Sequence, residues 1–128
     1  MTLAARALDF GFRDRTVGRG LDCALEAGEV VCLLGPNGSG KSTLMRTLLG
    51  LQPRLGGEVT LEGRGLDAWG AAERARRLAY VPQAADSYFD FSLRELVDMG
   101  RIAHRGVFES PGKKDREIAA AALERLGI

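Results

Sequence analysis

The sequence predicts an α/β fold, and three observations carry that expectation. Five apolar residues, Val30-Val31-Cys32-Leu33-Leu34, run unbroken into a glycine-rich stretch at 35–43 and then into a helix with one apolar side. Upstream, residues 2–10 and 21–27 alternate apolar with small or charged side chains, the period of half-buried antiparallel strands. Downstream, from residue 92, the chain carries helix start and stop signals and no further strand pattern. Strand, turn and helix in direct succession is the unit from which α/β sheets are built.

Each element has its own reason. Leu3, Leu8 and Phe10, then Leu21, Cys23 and Leu25, mark the apolar faces of the first two strands, with a Gly- and Arg-rich hairpin region between them. Ala27-Gly28-Glu29 turns the chain into the run at 30–34, whose continuous apolarity is the pattern of a central strand covered on both faces. The next helix places Leu44, Met45, Leu48 and Leu49 on one side and stops at Gly50, a C-terminal cap. Gln52-Pro53 and Gly56-Gly57 break the chain before a short strand at 58–62, a turn at 63–65, a short helix at 71–77 and a strand at 78–81 that ends at Pro82. Residues 84–91 form a polar and aromatic loop. Ser92 then opens a helix through a capping box with Glu95, with Phe91 and Leu96 as its hydrophobic staple. A loop at 100–112 leads to a helix at 113–126, ended by Gly127. No internal repeat is present.

The stretch GPNGSGKST fits the phosphate-loop pattern G-x-x-x-x-G-K-[ST] at Gly35, Gly40, Lys41 and Ser42. Composition alone places four such residues at this spacing in about one chain in a hundred or fewer. The strand before and the helix after supply the setting of a P-loop nucleotide-binding fold. Gly35, Gly38 and Gly40 lack a Cβ, which lets main-chain N–H groups converge on a polyphosphate, with Asn37 and Ser39 completing the loop. The positive end of the helix dipole faces the same anion. Lys41 brings an ammonium to the β- and γ-phosphates, Ser42 a hydroxyl to a hydrated Mg²⁺, and Thr43 a hydroxyl to the α-phosphate side. An ordinary Gly-rich turn capping a helix explains Gly35 and Pro36, but not Lys41 and Ser42 together.

Composition narrows the classes further. With 45% apolar and 27% charged residues and a formal net charge of +1, the chain has no electrostatic commitment to nucleic acid or to an anionic membrane surface. No apolar run approaches the ~18 residues of a spanning helix, and the N-terminus lacks a signal-peptide core, so the expected address is the cytoplasm. Cys23 and Cys32 have no metal-ligand spacing and are expected on strands as reduced, buried residues. The single histidine, His104, is expected in an exposed loop without a chemical role.

With these residues in view, the chain resembles the nucleotide-binding subunit of an ATP-binding cassette (ABC) transporter. The spelling GPNGSGKST is typical of that family. Phe12, in DFGFRDR and 23 residues before Gly35, stands where the family carries an aromatic that stacks on adenine. Tyr80-Val81-Pro82-Gln83 is similar to the Q-loop, whose glutamine reaches Mg²⁺ and the attacking water and connects to the membrane partner. Alone, Phe12 also suits a half-buried hairpin position, and Gln83 an ordinary polar loop. The phrase FSLRELVDMGR is similar to importers of iron-siderophore, haem or cobalamin complexes.

The resemblance implies the N-terminal half of an ABC ATPase domain: an antiparallel β subdomain, an incomplete parallel core sheet, and the start of the helical subdomain. On that reading 1–83 is the nucleotide-binding core and 84–128 the beginning of the helical part. No LSGGQ-type signature, no apolar strand pattern ending in Asp-Glu and no later strand pattern bearing a histidine follow Gln83. The expectation is therefore a truncated ATPase that binds Mg-ATP weakly, offers no catalytic residue of its own, and exposes an apolar edge at 30–34 that invites self-association. The resemblance also implies a membrane-spanning permease partner at the inner (plasma) membrane and a second copy of the subunit, with no nucleic acid. Two other readings stay open: an ABC ATPase outside transport, and a catalytically silent nucleotide-binding module.

Overall fold

A ten-residue strand, β1 (Leu3–Phe12), folds back through Arg13 and Asp14 onto β2 (Arg15–Leu25), and everything in the first part of the chain is built on that hairpin. The computed structural model describes residues 2–82, 91–106 and 109–127. They fall into two compact units, Met1–Gly70 and Ala71–Ile128.

In the first unit β1 also pairs with β3 (Gly56–Leu61), which pairs with β4 (Arg64–Gly65), giving an antiparallel sheet in the order β2-β1-β3-β4. The apolar side of β1 is Leu3, Ala5, Leu8 and Phe10, all buried. Strict alternation would turn Leu8 and Phe10 to the opposite face from Leu3 and Ala5. A register shift between Ala5 and Leu8, with Ala7 at φ +45°, inserts the extra residue that keeps all four on one side. The Asp22 carboxylate accepts the Ala7 N–H at 2.8 Å, so the irregular position keeps a hydrogen-bond partner. Val59 and Leu61 of β3 and Leu66 of the following 3-10 turn (Leu66–Ala68) complete this face. Leu8 and Leu61 are fully buried, and truncating either to alanine costs about 2–5 kcal/mol.

Helix α1 (Lys41–Leu48) packs on β1 through Leu44 and Leu48, while Met45 is left largely exposed. Thr47, also buried, returns its hydroxyl to the Thr43 carbonyl at 2.8 Å. Gly50, at φ +67°, closes the helix as expected, its N–H on the Thr47 carbonyl.

Two expected strands do not form. Residues 30–34 and 78–81 belong to no ladder among the described residues, and Val30, Leu34 and Val81 are each nearly nine-tenths exposed. A strand exists only beside another strand, and the four-stranded sheet offers residues 30–34 no neighbour. The parallel part of the expected sheet is thus absent from the described residues, and its apolar sequence lies open to solvent. Cys32 goes with it and is exposed rather than buried; Cys23 sits on β2 and is half-buried, where burial raises its thiol pKa.

The second unit is helical: α2 (Ala71–Ala75), α3 (Leu93–Met99), a 3-10 turn (Ile102–His104) and α4 (Lys113–Leu126). The capping box forms as its sequence spells it, with Ser92 Oγ accepting the Glu95 N–H at 3.3 Å and the Glu95 carboxylate accepting the Ser92 N–H at 2.8 Å. Helix α3 packs on α4, whose Ala119 is buried. An Arg101–Asp115 ion pair at 3.0 Å pins the entry of α4, and Gly127 ends that helix at φ +73°. His104 is exposed but ends a helical turn rather than lying in a loop.

Candidate nucleotide-binding site

Residues 35–40 turn between segment 30–34 and the first turn of α1 at 41–43, and the glycines decide how. Gly38, at φ +79° in the turn after Asn37, and Gly40, at φ +93° as the N-cap of α1, occupy conformations that side chains disfavour. Gly40 is constrained twice, because a Cβ there would lie 2.2 Å from Val17 Cγ1 and 3.5 Å from the Phe10 ring. The β1–β2 hairpin therefore backs directly onto the loop. Val17 as the loop's rear wall was not legible in the sequence; it stands 23 positions away and carries no motif.

The open side of the loop suits an anion. Gly40 supplies no side-chain cap, and the first turn of α1 carries no acidic residue to repel one. The first helical hydrogen bond runs from Leu44 N–H to Gly40 O at 2.8 Å, which leaves the preceding amides of Lys41, Ser42 and Thr43 without a helical acceptor. Ser39 donates its N–H to Pro36 O at 3.3 Å and tightens the turn.

Lys41 curls back over this turn, its Nζ donating to the carbonyl oxygens of Gly35 and Pro36 at 2.8 Å each. An ammonium has three donors, so one remains for a ligand in the loop while the other two fix where the charge stands. Ser42 is exposed and Thr43 half-buried on the first turn.

Phosphate fits this arrangement: a loop with open space at Gly38, a fixed cation, and amides at the helix start without a helical acceptor. For Mg²⁺ the fit is narrower. The described residues contain no group of three or more His, Cys, Asp or Glu that could hold a metal, and the loop offers a metal only the exposed hydroxyl of Ser42 at the start of α1.

The structure gathers residues 35–43 into one turn and places Phe12 apart from them. The Phe12 ring, 56% exposed at the end of β1, lines a hollow of about 360 Å³ with Arg13, Gln52, Pro53, Arg54 and Leu55. No residue of the phosphate loop lines that hollow. Gln83 lies outside the described residues.

A glycine loop backed by a strand hairpin and opening a helix has the local geometry of a phosphate cradle. The family model of the ABC transporter matches residues 19–128, and the chain belongs to that family. It is 41% identical over its whole length to an uncharacterized ABC transporter ATP-binding protein of Haemophilus influenzae, covering 49% of that protein. Over 77% of its length it is 48% identical to the hemin import ATP-binding protein HmuV of Pseudomonas entomophila, covering 37% of it. Among solved structures, a metal-chelate type ABC transporter in an inward-facing conformation superposes with a TM-score of 0.74 at 29% identity, over 98% of this chain and 44% of that one. The chain thus spans about half, or less, of the relatives it matches. The ABC ATPase fold expected from the sequence is shown by these matches, with its antiparallel subdomain formed in the described residues. No helix among the described residues is long and apolar enough to cross a membrane.

Proposed function

We propose that the chain serves as the ATP-binding subunit of an ABC importer for haem, iron-siderophore or cobalamin complexes. The observation that carries this reading is the turn at 35–43, closed by Gly40 against Val17 and topped by the Lys41 ammonium. On this reading the main-chain amides and Lys41 hold the terminal phosphates and Ser42 takes a nucleotide-borne Mg²⁺, while the family resemblance assigns base stacking to Phe12 and a further Mg²⁺ contact to Gln83. Such stacking is worth about 1–3 kcal/mol on the scale of nucleic-acid bases. When bound, Mg²⁺ neutralises charge between the phosphates.

The import reading is supported by the likeness to a hemin import protein and to a metal-chelate type transporter. It implies a permease contacted after Gln83, a second copy across the nucleotide, and a place on the cytoplasmic face of the inner membrane. It also divides the chain into a nucleotide-binding core at 1–83 and the start of a helical subdomain at 84–128. The sequence of these 128 residues contains no LSGGQ signature and no Asp-Glu pair, so they bind ATP without appreciable turnover by themselves.

Calorimetric titration with Mg-ATP tests the site. Binding that disappears in Lys41→Ala is expected; binding indifferent to Lys41, or none, refutes the reading. For the importer assignment, co-purification with a membrane-spanning subunit is expected, and recovery with soluble partners alone counts against it.

A further inference from the structure

Gln52 was not singled out by any motif, yet its side chain reaches across the first unit. Its Nε2 amide donates to the carbonyl oxygen of Gly11, 41 positions earlier in the chain. Gly11 is buried and directly precedes Phe12 at the end of β1. The main chain of Gln52 is itself anchored, because its N–H and that of Leu51 both point to the Arg46 carbonyl at 3.2 and 2.9 Å. Arg46 belongs to α1, the helix whose first residue is Lys41. A short covalent and hydrogen-bonded route therefore joins the phosphate loop, α1, Gln52 and the residue before the aromatic ring.

The surroundings favour a role for that bond beyond general packing. Gln52 and Phe12 line the same hollow, and the ring of Phe12 is free on its outer side. The next tether between β1 and the segment after α1, Leu55 N–H to Asp9 O at 2.8 Å, lies further back along β1, while Gly11 and Phe12 pair with Thr16 and Arg15 across the hairpin. Gln52 thus ties the segment that follows the helix of the phosphate loop to the tip of the hairpin, at the residue before Phe12.

We infer that Gln52 is a positioning residue for the Phe12 ring, setting the base platform at a fixed place relative to the phosphate loop. This rests on the nucleotide-binding reading above and deepens it. A ring held in place loses less freedom when a base stacks on it, so the effect belongs to the base and not to the phosphates. Removing the amide donor weakens binding of ATP while inorganic tripolyphosphate, which has no base, is held as before.

The experiment compares affinities of the full-length protein for Mg-ATP and for magnesium tripolyphosphate in wild type, Gln52→Leu, Gln52→Lys, Phe12→Ala and Phe12→Ala/Gln52→Leu, with circular dichroism as the folding check. Gln52→Leu is expected to weaken ATP binding by about three- to tenfold, the range of one lost hydrogen bond, with less than about a twofold change for tripolyphosphate. Gln52→Lys, which keeps a donor on a long stem, is expected to recover most of the ATP affinity. In the Phe12→Ala background the Gln52→Leu change is expected to add less than about twofold, because its effect passes through the ring.

Equal losses for ATP and tripolyphosphate, or losses that add fully to Phe12→Ala, would overturn the inference while leaving the phosphate site standing. Loss of Lys41-dependent binding for both ligands in wild type would instead remove the parent reading and this one with it. If Gln52→Leu fails to fold, the comparison of Gln52→Lys with Gln52→Glu decides the matter: the carboxylate, an acceptor facing a carbonyl, must lose ATP selectivity and the ammonium must keep it.

Discussion

Replacing Gly40 by alanine tests the architecture of the loop through two separable effects. The backbone at φ +93° disfavours any Cβ by about 1–2 kcal/mol. The new methyl would also stand 2.2 Å from Val17 Cγ1, an overlap that forces the hairpin or the loop to shift at about 1–3 kcal/mol. Together they predict about 2–5 kcal/mol, a large share of the ~5–15 kcal/mol of a typical domain. Gly38→Ala is the control. It also has a positive φ, +79°, but nothing within 4 Å of its Cβ position, so it carries the backbone part alone. Urea unfolding followed by circular dichroism measures both, and adding Val17→Ala to Gly40→Ala recovers about 1–3 kcal/mol of coupling but nothing when added to Gly38→Ala. If Gly40→Ala costs no more than Gly38→Ala, or if Val17→Ala simply adds to it, the hairpin does not back the loop and the account of the site's shape fails.

Two further outcomes follow from the surface chemistry. The Asp115 carboxyl is held below its ordinary pKa, chiefly by the hydrogen bond from Arg101 and then by the Gly112 N–H, and Glu95 is held down by Ser92. A folded pKa below the unfolded one means that the unfolded chain binds more protons in acid, so this stability is fully present above about pH 5 and fades as pH falls through the folded value. Urea midpoints between pH 7 and pH 3 are expected to fall less steeply in Asp115→Asn than in wild type; an unchanged slope would show that the Arg101 pair contributes nothing. The two thiols separate as well. Exposed Cys32 is expected to react with a disulfide reagent near neutral pH well before half-buried Cys23, whose thiol is raised by burial, and equal rates would contradict the open segment at 30–34.

Local features were legible because their partners lie within a few residues. Ser92 and Glu95 answer each other across one turn, Gly50 and Gly127 close helices at positive φ, and the order of glycines, Lys41 and Ser42 specifies a turn before any fold is known. Reading residues 2–10 as simple alternation missed the irregularity at Ala7, because the odd spacing of Leu3 and Leu8 is reconciled with one face only by an extra residue in the ladder. What was not legible depends on distant neighbours. Residues 30–34 have the composition of a central strand, but composition supplies no ladder partner, and the run stands exposed. Val17 behind Gly40 and Gln52 beneath Gly11 owe their places to the sheet and to α1, and neither has a signature of its own.

The most direct test of the central claim follows backbone amide resonances during titration with Mg-ATP. If main-chain N–H groups wrap the terminal phosphates, the largest shifts fall at Gly38, Gly40, Lys41, Ser42 and Thr43, and they vanish in Lys41→Ala. Shifts that bypass residues 35–43 and gather elsewhere in the chain would contradict the account outright.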